Sequence, residues 1–375
     1  LGERFVLEQQ IGRGGMGRIF RARDRATGEA VAVKIISGAR GQIAERFGRE
    51  RAALAELSHP GIVRYIAHGE LPAGDLYLAM EWIDGEDLGR RLARAPLSAS
   101  EALALASRVA GALGAVHARG LVHRDLKPSN LLLPGGRAEE VKLLDFGVAR
   151  HEERTKLTQT GSMIGTPGYM APEQVRAGAV DARADVFSLG CVLFECLTGQ
   201  PPFVSDVIAG VLAKILFEPA PSVRSLQPAI PESIDKLLAR MLEKEPSARL
   251  QDAGQLLAAL AELDSVAISS LRLPKVALER NVSSPAEQQL VSVLLSSVPS
   301  LIPSWETDAT MTAPADLEPL QELQRELAVY GAKVEILADG SIVTVLTQRN
   351  HMTATDQASQ AARCALALTQ RYPDA

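Results

Sequence analysis

The most informative stretch of this chain is the octapeptide His123-Arg124-Asp125-Leu126-Lys127-Pro128-Ser129-Asn130. It places a carboxylate (Asp125), an ammonium group (Lys127) and an amide (Asn130) within six residues. Asp125 can orient an attacking hydroxyl and accept its proton, and Lys127 can neutralise charge on a moving phosphoryl group. Asn130 offers a neutral oxygen to Mg²⁺. A polar loop without this chemistry would match every position only by a rare coincidence, so the octapeptide predicts phosphoryl transfer.

A second carboxylate follows twenty residues later, in Asp145-Phe146-Gly147, directly after a predicted strand over residues 141–144. By itself this tripeptide is a common turn. After the octapeptide, an Asp at the carboxyl end of a strand is the anionic ligand that a magnesium ion needs. We therefore predict Asp145 as a metal ligand.

A glycine-rich loop, Gly12-Arg13-Gly14-Gly15-Met16-Gly17, precedes both stretches. Glycines let the backbone approach phosphates closely and present N–H donors to them. An ordinary tight hairpin and a dinucleotide-binding loop are the alternatives. The dinucleotide loop requires a helix straight after the glycines, whereas residues 18–20 have the composition of a strand. This favours a glycine flap over a triphosphate.

Lys34 lies in a predicted strand, seventeen residues after Gly17. A lone lysine in a strand is usually solvated, but alternation along the strand points Lys34 away from Val33 and toward the glycine loop. Glu50, in a helix predicted over residues 43–57, is the candidate ion-pair partner that would hold Lys34 against the phosphates. Glu45 is the weaker alternative.

Together these motifs resemble the protein kinase family, in its Ser/Thr branch and particularly its bacterial eukaryotic-like members, over about residues 4–264. The resemblance implies an α+β, two-lobed protein kinase fold in residues 1–264. A β-rich N-lobe would comprise residues 1–84 and a helical C-lobe residues 85–264. The implied cofactors are ATP and Mg²⁺, for which Mn²⁺ could substitute. The implied reaction transfers the γ-phosphoryl group of Mg-ATP to protein hydroxyls.

The resemblance assigns roles to individual residues. Asp125 would be the catalytic base and Lys127 would contact the γ-phosphate, while Asn130 and Asp145 hold magnesium and Lys34 pairs with Glu50. Met80 would be the gatekeeper, and Glu81 to Ile83 the hinge that hydrogen-bonds adenine. The complete nucleotide-binding set is Ile11, Gly12, Gly14, Gly17, Ile19, Ala32, Lys34, Met80, Glu81, Ile83 and Leu132.

The same resemblance points to serine or threonine as the phosphate acceptor. Lys127 stands two residues after Asp125, and Thr166 lies in a Gly-Thr-Pro-Gly-Tyr loop of the Ser/Thr type, where it would contact the catalytic Asp and Lys. Thr158 and Thr160 resemble paired autophosphorylated threonines of bacterial relatives. A phosphate on either could pair with Arg124 and order the loop. A polar, flexible loop without a switch is the alternative.

Two further pairings implied by the resemblance are structural. Glu173, in an Ala-Pro-Glu segment, would pair with Arg249. Asp185 would open a long helix and brace the catalytic loop. Neither residue is expected to take part in the chemistry.

The C-terminal part has a different composition. Residues 265–286 are expected to form a linker, and residues 287–375 are similar to the first half of class III nucleotide cyclases, which implies a partial α/β, ferredoxin-like segment. Asp339 matches one of the two metal aspartates of that family, but Ser297 stands where the other would be. We therefore expect a regulatory or dimerising module without cyclase activity. A plain α/β spacer is the alternative.

Composition limits the partners and the location. With 375 residues, a net charge of −5 and no basic block, the chain is not expected to bind nucleic acid. No apolar stretch is long enough to span a bilayer. The three cysteines form no metal or disulfide pattern, so we expect inert, buried thiols and a cytoplasmic location. Because the sequence begins with Leu1, we expect it to be part of a longer polypeptide.

The expected partners are ATP and protein substrates with Ser/Thr acceptors, and either the kinase part or the cyclase-like part could form a homodimer. The rival function is a pseudokinase-type scaffold, which commonly lacks the Lys, the catalytic Asp or the metal Asp. Lys34, Asp125 and Asp145 are all present. A small-molecule kinase of similar fold is the second rival, and the Ala-Pro-Glu segment together with a long loop before it argues against that class.

Overall fold

A computed structural model describes residues 4–14, 17–36, 57–72, 74–144, 167–205, 207–263, 291–297, 318–336, 341–347 and 354–371. The contacts divide the chain into two compact units. The first unit comprises Leu1–Lys156, Ile164–Pro202 and Ala220–Glu279, and the second comprises Leu157–Met163, Phe203–Pro219 and Arg280–Ala375.

The described strands are β1 (Phe5–Gly14), β2 (Gly17–Asp24), β3 (Ala30–Ile36), β4 (Tyr65–Glu70), β5 (Leu76–Glu81), β6 (Gly85–Asp87), β7 (Leu131–Pro134), β8 (Lys142–Leu143), β9 (Val291–Ser297), β10 (Ala332–Ile336) and β11 (Ser341–Thr347). The described α-helices are α1 (Leu88–Leu92), α2 (Ala99–His117), α3 (Pro172–Val175), α4 (Ala182–Thr198), α5 (Ile208–Phe217), α6 (Val223–Leu226), α7 (Glu232–Met241), α8 (Ala253–Ala261), α9 (Glu318–Ala328) and α10 (Ala354–Arg371).

The first unit begins with a five-stranded antiparallel sheet in the order β1-β2-β3-β5-β4. The strand predicted to contain Lys34 is β3. Along β3, Val31, Val33 and Ile35 are buried in one apolar cluster, so the alternation of a strand turns Ala32 and Lys34 to the other face. That face carries the residues predicted to meet the nucleotide.

The remainder of the first unit is mostly helical and contains a small sheet in the order β6-β7-β8. Helix α2 begins with a capping box, in which the side chains and backbones of Ser98 and Glu101 bond reciprocally. Helix α4 packs against α2 and is buried along nearly its whole length. It ends at Gly199, whose positive φ of 85° closes the helix. The predicted order, a sheet-rich part followed by a helical part, is therefore observed.

Helix α2 is the one helix among the described residues that is long and apolar enough to cross a membrane by length and composition. More than half of it is buried inside the protein, where Leu105, Val109 and Leu113 pack in the core. A core helix passes the same test of length and composition, so α2 carries no indication of a membrane span.

The second unit contains a three-stranded antiparallel sheet in the order β10-β11-β9. Helices α9 and α10 contribute Leu323, Leu327, Cys364 and Leu368 to an apolar cluster that includes Ile342 of β11. Three strands and two helices among the described residues agree with the α/β composition expected of this segment. Asp339, the match to a metal aspartate, lies outside the described residues.

Candidate active site

The three reactive groups of the octapeptide meet at one point in the structure. Lys127 Nζ donates to Asp125 Oδ2 over 3.0 Å, and Asn130 Nδ2 donates to the same oxygen over 3.1 Å and to the Asp125 carbonyl over 2.8 Å. The Asp125 and Lys127 side chains keep about one sixth of their surface exposed. A carboxylate held this way is fixed in direction yet open to an incoming hydroxyl.

Asp185, near the start of α4, holds the backbone of this loop. It is completely buried, and its carboxylate accepts the backbone N–H groups of His123 and Arg124, each over 2.8 Å. His117 Nε2 lies 2.9 Å from the same carboxylate. Because His117 Nδ1 accepts from the Ala253 N–H, the ring proton is on Nε2 and points at Asp185. The predicted bracing role of Asp185 is confirmed.

His123 connects the catalytic loop to the strand that precedes the predicted metal ligand. The ring is fully buried, its Nδ1 accepts the Asp125 N–H, and its Nε2 lies 2.9 Å from the Leu144 carbonyl oxygen. Leu144 is the residue directly before Asp145, which lies outside the described residues. The chain is thus held at the residue that precedes the predicted metal ligand.

Arg124 has an unusual backbone and an unpaired nitrogen. Its φ of 66° is left-handed, and its carbonyl accepts Gln174 Nε2 over 3.0 Å. The Arg124 Nε is buried and has no hydrogen-bond partner among the described residues. The threonines predicted to act with it, Thr158, Thr160 and Thr166, lie outside those residues.

The predicted phosphate-facing residues form a line across the five-stranded sheet. Strand register pairs Gly12 with Ile19, Ile19 with Lys34, and Lys34 with Leu78. Directly opposite residues of antiparallel strands point to the same face, so Lys34 lies two strands from the first glycine of the loop on that face. Its predicted partner Glu50 lies outside the described residues.

Only glycine fits at the last position of the glycine loop. Gly17 has a φ of 149°, and a Cβ placed there would lie 1.9 Å from the carbonyl oxygen of Ile35. Gly14 pairs with Gly17 where β1 turns into β2. The glycine requirement thus has a packing cause at Gly17, independent of any bound phosphate.

The predicted adenine-contacting residues cluster where the sheet meets the helical part. Met80, with Leu78 and Val63, forms a buried cluster against which Ala32, Ile83 and Leu144 pack. The gatekeeper candidate Met80, the predicted nucleotide contact Ala32 and the residue before Asp145 are therefore neighbours. Apolar side chains of this kind are suited to line the site of a flat base.

Glu81 of the predicted hinge is held by its side chain. Its Oε1 accepts Lys142 Nζ over 2.6 Å and the Arg64 N–H over 2.9 Å, so two donors fix the carboxylate. Leu132, a member of the predicted nucleotide-binding set, is partly exposed between two fully buried leucines of β7. Ile11 is nearly half exposed on β1.

The profile of the protein kinase domain family matches residues 5–259. The chain belongs to the protein kinase family. Its sheet-rich N-lobe and helical C-lobe are those of the kinase fold, and its kinase domain is of the ATP-dependent serine/threonine type.

Relatives agree with this membership. The kinase chain is 38% identical over 270 residues to the serine/threonine-protein kinase PknD of Mycobacterium tuberculosis (strain ATCC 25618 / H37Rv), covering 71% of this chain and 40% of the relative. It is 34% identical over 336 residues to the serine/threonine-protein kinase pkn3 of Myxococcus xanthus, covering 84% of this chain and 61% of that protein. The chain therefore spans about two fifths to three fifths of the length of these relatives.

A solved structure has the same fold. The crystal structure of Rad53 1-466 in complex with AMP-PNP superposes with a TM-score of 0.58 at 27% sequence identity, covering 68% of this kinase chain and 64% of that chain.

A buried ion pair joins two distant parts of the kinase domain. Arg249 Nη1 and Nη2 donate to the two carboxylate oxygens of Glu173 over 2.7 and 2.9 Å, and the Arg249 side chain is completely enclosed. The pairing predicted from the Ala-Pro-Glu segment is confirmed. Because both Nη groups of the guanidinium are hydrogen-bonded, the pair fixes the relative orientation of the two side chains as well as their distance.

Sequence reasoning missed four residues that support the kinase site: His117, Lys142, Gln174 and Arg64. Gln174 directly follows the Ala-Pro-Glu segment and could have been suspected. The roles of His117 and Lys142 rest on partners 68 and 61 residues away, a separation that no periodicity reveals. Arg64 acts through its backbone N–H, which sequence cannot single out.

The described residues contain no group of three or more His, Cys, Asp or Glu side chains that could hold a metal ion. Asn130 fits the predicted metal role because both of its amide hydrogens face Asp125, which turns its oxygen the other way. Asn130 would hold a magnesium ion together with Asp145.

Proposed function

We propose that the protein to which this chain belongs phosphorylates serine and threonine hydroxyls of proteins, using the γ-phosphoryl group of Mg-ATP. The observation that carries the proposal is the joint engagement of one Asp125 oxygen by Lys127 and Asn130. In this arrangement Asp125 orients the acceptor hydroxyl and takes its proton. Lys127 then offsets the charge of the transferring group.

Nucleotide binding is proposed for the face of the sheet that carries Lys34 and Ala32. Gly12, Lys34 and Met80 lie along that face, and glycine N–H groups bind phosphate oxygens. The similarity to Rad53, whose structure is a complex with AMP-PNP, supports the same proposal. A bound Mg²⁺ or Mn²⁺ ion would neutralise phosphate charge, and Asn130 is the described residue suited to ligate it.

The proposal is tested by Asp125→Asn in the full chain. Asparagine cannot accept the hydroxyl proton, so we expect phosphotransfer to a generic Ser/Thr acceptor to fall about 10²- to 10⁴-fold. ATP binding, measured by calorimetry, should stay within a few-fold of the wild type. Glu262→Gln, an exposed carboxylate after α8, is the matched control. Full activity of Asp125→Asn would contradict the assignment.

We propose that autophosphorylation at Thr158 and Thr160 switches the kinase. The support is the buried Nε atom of Arg124, the residue before Asp125, which has no hydrogen-bond partner among the described residues. A phosphate supplies the charge and acceptor oxygens that such a group binds. Thr166 is proposed to contact Asp125 and Lys127, as in other Ser/Thr-type loops.

Mass spectrometry of ATP-treated protein checks the switch. We expect phosphate on Thr158 or Thr160, and we expect Thr158→Ala/Thr160→Ala to lose most of the gain in activity that follows ATP treatment. Thr369→Ala, at an exposed position of α10, is the control. Unmodified Thr158 and Thr160 after complete treatment would rule the switch out.

For residues 287–375 we propose a partial, degenerate class III cyclase-like module that regulates the kinase. An antiparallel sheet covered by two helices agrees with an α/β segment of this kind. The match to pkn3 covers more of the chain than the kinase profile does, which favours an inherited module over a spacer. Ser297 in place of a metal aspartate argues against cyclase activity.

The module is tested in the full chain. Ile342→Asp would put a charge into its fully buried core, and we expect the kinase rate to change, whereas Val293→Asp at a half-exposed position should have no effect. An unchanged rate with Ile342→Asp would contradict regulation. Formation of cyclic nucleotide from ATP or GTP with Mn²⁺ would contradict the degenerate assignment.

The proposed partners are ATP and Ser/Thr protein substrates in the cytoplasm, with a homodimer through the kinase domain or the cyclase-like module. Support for a reducing compartment comes from the three cysteines, which are all buried as free thiols. Cell fractionation checks the location, and analytical ultracentrifugation at micromolar concentration checks the dimer.

A further inference from the structure

Strand β11 is buried on both of its faces. Every side chain from Ile342 to Leu346 is buried, although alternate residues of a strand point in opposite directions. Ile342 and Leu346 lie in the cluster that α9 and α10 cover. Val343 and Val345 therefore point to the opposite face, where a second cover is needed.

Helix α5 provides that cover. Val343, with no exposed surface, and Val345, with 1%, form one apolar cluster with Ala213 of α5. Val207, the residue before the helix, and Ala209 pack against the same cluster. Ala209 and Ala213 are four residues apart and so lie on one side of the helix. Side chains this small let the helix axis approach the strand closely.

The covered surface is only as wide as one helix. Strand register places Lys333 and Val293 directly beside Val345 on the two neighbouring strands, and both are exposed. Three strands span about 10 Å, close to the diameter of an α-helix with its side chains. An apolar centre with an exposed residue on either side fits a single helix along the middle strand.

Helix α5 lies between two segments of the kinase domain along the chain. The family profile spans residues 5–259, and the segments flanking Phe203–Pro219 belong to the first unit. The sheet, in contrast, is built from residues beyond 290. Helix α5 thus belongs to the kinase by sequence and to the C-terminal sheet by packing.

We propose that helix α5 is the built-in docking partner of the C-terminal sheet, received on the Val343–Val345 face. The partner is a segment of this same chain, so the attachment needs no second molecule. A consequence is that the sheet depends on a kinase segment to bury its second face. Separation of helix α5 from the sheet would expose apolar surface on the helix and on the sheet.

Hydrogen exchange of the full chain tests the docking. Val343→Ser/Val345→Ser removes apolar contact from the α5 side while leaving Ile342 and Leu346 in place. We expect amides of residues 208–217 to exchange roughly tenfold faster or more. Val293→Ser is the matched control on the same face, at a half-exposed position, and should leave that exchange unchanged.

The outcome is decisive even if the double variant unfolds the sheet. If the sheet unfolds and residues 208–217 also lose their protection from exchange, docking is supported, because the helix then depends on the sheet. Loss of the sheet with unchanged protection of the helix overturns the proposal. Kinase catalysis by Asp125 is measured separately, so failure here leaves the proposed function standing.

Cross-linking gives an independent measurement. Under mild oxidation we expect Ala213→Cys/Val345→Cys to form a disulfide that joins the two peptides. Ala213→Cys/Leu366→Cys should not, because Leu366 is exposed on α10, which covers the other face. The native thiols interfere little, since burial raises the pKa of Cys191, Cys196 and Cys364. Equal cross-linking of both pairs, or none of the first, overturns the proposal.

Discussion

Arg124 adopts a left-handed backbone conformation that costs a non-glycine residue about 1–3 kcal/mol. The conformation is held from both sides, because Asp185 accepts the Arg124 N–H and Gln174 donates to its carbonyl. The carboxylate of the next residue, Asp125, accepts a hydrogen bond from Lys127. Asp185 therefore acts as a positioning residue for Asp125, the proposed catalytic base.

Asp185→Asn should lower kcat about 10- to 100-fold and leave KM for ATP near its original value. The amide has a single acceptor oxygen, so one of the two backbone N–H groups loses a charge-assisted hydrogen bond. Steady-state kinetics measures the split between kcat and KM. Asp252→Asn, at the N-cap of α8, is the control. An unchanged kcat would refute the positioning role.

Asp24 predicts a pH dependence of stability. Hydrogen bonds from the Arg4 guanidinium, and from the Ala26 N–H, hold the pKa of this buried carboxyl below its ordinary value. A lowered folded-state pKa gives stability that is fully present above the unfolded pKa of about 3.9 and is lost as pH falls through the folded pKa. Asp24→Asn removes this contribution at every pH.

Urea unfolding measured between neutral and strongly acidic pH checks this prediction. The wild type should lose stability more steeply than Asp24→Asn below about pH 4. Glu262→Gln should follow the wild-type profile, because its carboxylate is exposed. Parallel profiles for wild type and Asp24→Asn would show that the Arg4 interaction does not stabilise the fold.

At the scale of elements, the hairpin of β1 and β2 depends on Gly17. A Cβ there would meet the Ile35 oxygen at 1.9 Å, whereas a Cβ at Gly12 would find its nearest neighbour, Ile19, at 4.0 Å. Gly17→Ala should therefore destabilise the protein by at least about 1–3 kcal/mol, and Gly12→Ala by clearly less. Thermal unfolding of both variants compares them. Equal losses of stability in the two variants would contradict the prediction. They would show that β2 and β3 can move apart to accommodate a Cβ at position 17 without a cost in free energy.

Element types were predictable because their patterns are local. The apolar alternation of β3 and the helical spacing of α10 are present in the sequence itself. Bounds were less predictable, since caps and register finish an element: the strand predicted over residues 141–144 is Lys142–Leu143. What each face covers was not predictable: the pattern of β11 indicates a strand, but its second face became assignable only with α5 in place.

At the scale of the whole molecule, the Glu173–Arg249 pair joins residues 76 positions apart inside the first unit. Arg249→Met leaves the Glu173 carboxylate buried without its partner. Removing one member of a buried pair costs about 3–5 kcal/mol, which we expect as a lower free energy of unfolding in urea. Arg137→Met, which breaks an exposed pair with Glu140, should cost no more than about 1 kcal/mol. Similar losses in both variants would refute the argument.

Family, fold and catalytic chemistry followed from sequence alone, because the deciding groups are close along the chain. Asp125, Lys127 and Asn130 lie within six residues, so a short loop cannot separate them. The tertiary structure decided which remote groups hold that loop, with Asp185 reaching back 62 residues to His123, and which helix covers the C-terminal sheet. Such contacts form only when the whole chain is folded. Burial and hydrogen bonding depend on which groups are close in space, and remote partners leave no periodic pattern in the sequence.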